Sequence, residues 1–148
     1  AVTLAMTTSA NLQKQAIVID DDDTVSEHVS KMLRTRGFNV TQEFDGMSAL
    51  QRCRTEKFDL VVCDIRMPRL SGVSFLRNLR QGETNLDGVA KPMTVVMMSS
   101  LGDNATKREV SAAGTPHLLL KPVSAEALDA VLALLGLNDK LDIEGRRI

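Results

Sequence analysis

The sequence has no strongly basic run. Its 18 Lys and Arg are met by 19 Asp and Glu, for a formal net charge of −1. A protein that holds nucleic acid by its phosphates needs a basic patch, so direct nucleic-acid binding is not expected. Cysteine is scarce. Cys53 and Cys63 are the only two. They lack C-x-x-C spacing and a nearby histidine pair, so they read as two free thiols in a reducing compartment rather than a zinc site or a disulfide framework. No apolar run is long enough to cross a bilayer. Residues 1–12 lack the basic start and apolar core of a signal peptide. A cytoplasmic protein without a membrane partner is the expectation. Internal repeats and low-complexity tracts are absent. His28 and His117 have no partner that would make a metal or catalytic site.

What is present is an ordinary globular composition. The chain has 148 residues, 43% apolar and 25% charged, enough to bury a core without metal or disulfide staples. Residues 1–14 read as a loose tail, 15–136 as one domain, and 137–148 as a tail or linker.

Within that domain, short apolar runs alternate with stretches of helical periodicity. Ala16-Ile17-Val18-Ile19 ends in four aspartates. Leu60-Val61-Val62-Cys63 ends in Asp64, Met93 to Met98 ends in Ser99-Ser100, and Leu118-Leu119-Leu120 ends in Lys121-Pro122. Phe38 to Phe44 is a weaker strand. Uninterrupted apolar runs of this length read as strands buried on both faces.

Between them, Val25, Val29, Met32 and Leu33 recur at helical spacing, with Thr24 and Glu27 in capping-box positions and Gly37 at the close. Met47–Lys57, Leu70–Leu79 and Asn104–Ala113 give three further helices, and Leu128, Val131, Leu132 and Leu135 mark the last. Gln81 to Pro92 is polar and longer than the usual connection, so it reads as a local insertion. The methionines, Met97 and Met98 among them, and Cys63 read as core filler.

A β-α unit repeated five times, with doubly buried strands, calls for a parallel sheet covered by helices on both faces. Right-handed crossovers narrow this to a doubly wound α/β fold with five strands and five helices. Functional groups in such sheets gather at the carboxyl ends of the strands. Asp20–Asp23, Asp64, Ser99 and Lys121 should therefore meet in one crevice.

That crevice carries a charge problem. Two carboxylates about 5 Å apart repel by roughly 3 kcal/mol at an effective dielectric of 20. A divalent cation relieves the repulsion, and Mg²⁺ suits a few carboxylates plus a phosphate. A carboxylate nucleophile, Mg²⁺, an ammonium and a hydroxyl together form a kit for phosphoryl transfer through an aspartyl phosphate. Asp22 and Asp23 read as cap or solvated loop residues.

Four blocks now resemble a known family: Ile17-Val18-Ile19-Asp20-Asp21, Val61-Val62-Cys63-Asp64-Ile65-Arg66-Met67-Pro68, Met97-Met98-Ser99-Ser100 and Leu120-Lys121-Pro122. Together, and in this order, they are similar to the bacterial two-component response-regulator receiver domain of the CheY-like kind, over roughly residues 15–136. The resemblance implies the flavodoxin-like strand order 2-1-3-4-5 for the five-stranded doubly wound parallel sheet, and that Asp64 is the phosphoacceptor. It implies Mg²⁺ held by Asp21, Asp64 and the backbone carbonyl of Arg66, with Asp20 helping through water. Ser99 takes the switch position and Lys121 pairs with the phosphoryl group. The implied partners are a sensor histidine kinase or histidine phosphotransfer protein upstream and an effector domain or protein downstream, with a homodimer as one phosphorylated form. A switch with self-catalysed transfer and slow autodephosphorylation, not an enzyme, is expected.

The chain departs from the family in places. Most receivers carry an aromatic residue two or three positions before the lysine, where Leu118 and Leu119 stand here. Arg66 and Leu101 sit two residues beyond the acceptor and the switch serine, positions that should tune hydrolysis.

Two other readings of the residues remain open. Asp20-x-Asp22-x-Thr24 resembles the first motif of haloacid-dehalogenase-like phosphatases, with Asp20 as nucleophile and Asp22 as acid/base, although no later acidic strand motif follows Lys121. A phosphorylation-independent pseudoreceiver, a pure interaction module, is the second.

Overall fold

In the computed structural model, residues 13–84 and 92–138 are described. The expectations for 1–12, 85–91 and 139–148 lie outside the described residues.

The elements run β1 (Lys14–Ile19), α1 (Asp23–Arg34), β2 (Phe38–Glu43), α2 (Gly46–Thr55), β3 (Leu60–Asp64), α3 (Gly72–Thr84), β4 (Val95–Ser99), α4 (Asn104–Ala113), β5 (Leu118–Leu120) and α5 (Ala125–Leu134). All five strands are parallel and their order is β2-β1-β3-β4-β5. This is the doubly wound arrangement expected from the alternation of apolar runs and helical stretches.

The two faces follow from the period of two along a strand. Ile17, Ile19, Val61, Cys63, Val95 and Met97 point to one side, where they pack with Leu50 and Cys53 of α2, Leu76 and Leu79 of α3, and Val110 of α4. Ala16, Val18, Leu60, Val62, Val96 and Met98 point to the other, against Val29 and Leu33 of α1 and Leu128 and Leu132 of α5. Burying both faces is what makes these runs read as uniformly apolar. Met97, Met98 and Cys63 are fully buried core residues, as the sequence suggested, whereas Met47 is exposed.

Three local expectations change. The first helix is capped by Asp22, not Thr24: the Asp22 carboxylate accepts from the amides of Thr24 and Val25. Thr24 itself is already inside the helix. Glu27 does not reach back to the cap. It accepts from Gln42 and pairs with Arg34 instead. The third helix begins at Gly72 rather than Leu70 and continues through Thr84, so the first residues of the polar stretch from Gln81 are helical. Polar residues and a glycine carry no apolar period, which is why the sequence pattern stopped early.

Candidate functional site

Register brings the strand ends level. Ile19 pairs with Cys63, Asp64 with Met98, and Ser99 with Leu120. The next residue of each strand therefore emerges on the same edge of the sheet. Asp20 is still tied to the ladder, because its amide donates to the Glu43 carbonyl at 3.1 Å. Lys121 is likewise held by its amide on the Ser99 carbonyl at 2.8 Å.

The side chains then converge. Lys121 Nζ lies 2.9 Å from Asp20 Oδ2 and 3.1 Å from Asp64 Oδ1. One oxygen each of Asp20, Asp21 and Asp64 falls within 4.8 Å of the others. Asp20 is fully buried, Asp64 is 5% exposed and Asp21 is exposed. A cavity of about 270 Å³ opens over them, lined also by Asp22, Arg66, Ser99, Ser100 and Lys121. All of Asp20, Asp21, Asp64, Arg66, Ser99 and Lys121 are thus brought together by the fold.

The electrostatics are unbalanced. Two carboxylates, Asp20 and Asp64, flank one ammonium, and a third, Asp21, stands beside them. Burial pushes the Asp64 carboxyl above its ordinary value, and the neighbouring Asp20 adds to this, while the hydrogen bond to Lys121 opposes it. Burial works against the Lys121 ammonium, but Asp20 and Asp64 together outweigh it and raise its pKa. Asp20 Oδ1 accepts from the Asp22 amide at 2.9 Å. Its buried Oδ2 meets the ammonium without an aligned hydrogen bond. An under-satisfied carboxylate oxygen and a donor set made only of hard oxygens fit a divalent cation such as Mg²⁺.

The neighbouring groups are placed by ordinary local physics. Asp64 Oδ1 accepts from the Arg66 amide at 3.3 Å, while the Arg66 side chain is exposed. Ser99 is 3% exposed, and its Oγ accepts from the Leu101 amide at 2.9 Å. That leaves the hydroxyl hydrogen free to donate elsewhere. Leu118 is half-buried against the α2–α4 side of the core, and Leu120 is 52% exposed.

Gly72 is a site residue that sequence reasoning missed. Its amide donates to the Ile65 carbonyl at 2.8 Å, closing the loop after Asp64. A Cβ there would stand 2.1 Å from the Asp64 carbonyl oxygen and 2.8 Å from Met97 Cε. Only glycine lets α3 begin so near the end of β3. The available signal was a glycine at the first helical position, where it is a poor choice for local reasons.

His28 is exposed, with Nε2 2.9 Å from the Val123 carbonyl. Cys53 and Cys63 are free and buried. Burial raises the Cys53 thiol to about 12 and the Cys63 thiol well above its usual value, so neither is a ready nucleophile. Asp22, the acid/base of the phosphatase alternative, is spent as a helix cap, and Asp20 is closed off from solvent. That alternative is not supported.

Comparison with known proteins agrees. The family model described as "Response regulator receiver domain" matches residues 16–133. Chemotaxis protein CheY-3 of Vibrio cholerae is 33% identical over 119 residues, covering 80% of this chain and 88% of that protein. Transcriptional activator protein PfeR of Pseudomonas aeruginosa is 35% identical over 114 residues, covering 77% of this chain but 35% of its own longer length. The solved receiver domain of the Francisella response regulator 1452 superposes with a TM-score of 0.71 at 30% identity, covering 82% of this chain and 95% of that one. With five parallel strands in this order and four strand-end blocks meeting in one acidic crevice, the chain belongs to the CheY-like receiver domain family of response regulators.

Proposed function

We propose that this receiver domain accepts a phosphoryl group on Asp64 and that Mg²⁺, Lys121 and Ser99 neutralise it there. The observation that carries this reading is the bridge of Lys121 Nζ to Asp20 and Asp64, with an Asp21 oxygen within 4.8 Å of both acids. Asp64 is the acceptor in this reading because, of the two cavity-wall acids bridged by Lys121, it is the one not fully enclosed. A carboxylate oxygen of Asp64 attacks phosphorus and forms a P–O bond. The P–N bond of a phosphohistidine donor breaks, and the released imidazole takes up a proton. Lys121 neutralises one phosphoryl oxygen, and the Ser99 hydroxyl donates to another. Mg²⁺ would be held by Asp21, Asp64 and the Arg66 carbonyl with Asp20 assisting, and would supply positive charge to the phosphoryl group.

The output is a conformational switch, not turnover of a substrate. A phosphoryl group shifts the domain only by interacting differently with two conformations. Ser99 moving toward it would repack α4 and β5, altering the surface offered to an effector or to a second copy. The donor is a histidine kinase or phosphotransfer protein. No described helix is long and apolar enough to cross a membrane, which suits a cytoplasmic role. The switch resets by slow autodephosphorylation.

Incubation with Mg²⁺ and acetyl phosphate, followed by intact-mass measurement, tests this. One labile phosphoryl group is expected, lost with Asp64→Asn and with chelator. An unlabelled wild-type chain would leave only the pseudoreceiver. Amide exchange in residues 100–120 that ignores phosphorylation would overturn the switch through Ser99.

A further inference from the structure

Among the described residues, five large apolar side chains are exposed: Phe44, Met47, Leu101, Leu120 and Leu134. Four of them flank the acidic cavity in two pairs. Leu101 and Leu120 lie on the Ser99 side, since Leu120 pairs with Ser99 and packs where a Cβ on Gly102 would sit. Phe44 and Met47 lie on the other side. Phe44 follows Glu43, whose carbonyl holds the Asp20 amide. Met47 is in the first turn of α2, whose Gly46 abuts Leu70 of the loop after Asp64.

We infer that Phe44 and Met47 form the docking anchor for the protein that brings the phosphohistidine. This rests on the receiver reading of the cavity and extends it to the partner. An imidazole that passes its phosphoryl group to Asp64 must approach to about 3 Å. Even a small transient interface covers several hundred Å² per partner, so the donor must spread from the mouth onto the loops beside it. The exposed face of α1 offers Asp23, Thr24, Glu27, His28, Lys31 and Arg34, with no apolar anchor.

Of the two apolar flanks, the Phe44–Met47 side lies outside the α4 and β5 segments assigned to the switch. Asp45 caps α2 through both the Ser48 amide and hydroxyl, at 2.8 and 2.9 Å. A rigid apolar anchor costs little entropy to bury. Leu101 and Leu120 instead belong to the segments that repack in the switch, and a donor seated on them would block the surface that phosphorylation exposes to an effector.

Charge completes the description of the partner. The exposed acids Asp21 and Asp22 line the mouth, with Asp23 next along the chain, and the exposed Arg69 lies near enough to Asp45 to help lower its carboxyl pKa. The donor therefore presents an apolar side chain near its phosphohistidine, a basic flank facing the aspartates and an acidic flank facing Arg69.

The test separates the small donor from the protein donor. Histidine kinases of the source genome are purified and autophosphorylated with ATP, and the one that transfers fastest to the unchanged chain is used. Phe44→Ser and Met47→Ser should each slow transfer from this kinase about tenfold, mainly in KM, and together more. Labelling by acetyl phosphate should stay within twofold, and Leu134→Ser should change neither rate. Kinase transfer unaffected by the double variant would overturn the inference, as would equal loss with acetyl phosphate. A Phe44-dependent dimer in sedimentation, with transfer unchanged, would assign the patch to a second copy instead. Failure of every kinase on an unchanged chain that acetyl phosphate labels also counts against it. Failure of acetyl phosphate itself would strike the receiver reading, not the anchor.

Discussion

Two clusters of charge sit at opposite ends of the same sheet and are built on opposite plans. At the carboxyl end, Asp20 and Asp64 share one ammonium with Asp21 close beside them, and negative charge is left over. At the amino end, Arg80 and Glu83 match every charge. Arg80 donates to Glu83 at 2.7 Å, to the Met93 carbonyl at 2.8 Å and to the Gly114 carbonyl at 3.3 Å, while Glu83 accepts from the Met93 amide. This second cluster clamps the end of α3 to the chain entering β4 and to the end of α4. Gly114 takes φ +132°, and a Cβ there would press the Arg80 side chain at 3.0 Å. A satisfied cluster has no use for a ligand. An unsatisfied one is stable only with help, and that is what a binding site requires.

The contrast can be broken in steps. Gly72→Ala should have the largest effect, a loss of about 3 kcal/mol in urea unfolding, because the new methyl meets backbone that cannot give way. Acetyl phosphate labelling should slow with it, since α3 would be pushed off Asp64. Lys121→Ala should cost about 2 kcal/mol in metal-free buffer by leaving two buried acids unpaired. Mg²⁺ should return much of that loss, and the labelling rate should fall about 10²-fold. Stability that is unmoved by Mg²⁺ in this variant would contradict a cation-starved site.

Arg80→Ala should cost about 1.5 kcal/mol through the orphaned Met93 and Gly114 carbonyls and the Glu83 carboxylate. Its labelling rate should match wild type, because the clamp lies at the far end of the sheet.

Asp64→Asn should act in the other direction, raising stability by about 1 kcal/mol, roughly 3 °C in Tm, without metal at neutral pH. Burial raises the native Asp64 carboxyl above its unfolded value. Ionising it therefore costs stability, which falls as pH rises from the ordinary carboxylate range through the raised native value. Unfolding followed across that window should show the slope in wild type and not in the variant.

Asp45→Ala should be the mildest, about 0.7 kcal/mol from the lost cap. The Ser48 amide and hydroxyl hold the Asp45 carboxyl below its ordinary value. The difference from wild type should therefore be full near neutrality and shrink as pH falls through the lowered native value. A difference that stays constant into acid would mean that the charge contributes nothing.

The layout of strands was legible because doubly buried strands leave continuous apolar runs, and the topology rules then leave few alternatives. The acids, Ser99 and Lys121 were legible because each follows such a run. What escaped was set by contacts that sequence periodicity does not report. Asp22 displaced Thr24 as cap because the chain turns into α1 two residues earlier, a matter of backbone angles. Gly72 was hidden because its importance lies in a carbonyl eight positions away that nothing in its neighbourhood betrays. The last turn of α3 escaped because Gln81, Gly82 and Glu83 show no apolar period, although Glu83 is fastened to Met93. Phe44 was read as the end of a strand, and its exposure is visible only once β2 is known to stop at Glu43.

The bridge made by Lys121 also orders events in the life of the chain. Asp20 is synthesised a hundred residues before the ammonium that meets it. A ribosome-bound or truncated chain ending before β5 would carry its aspartates without their counter-charge.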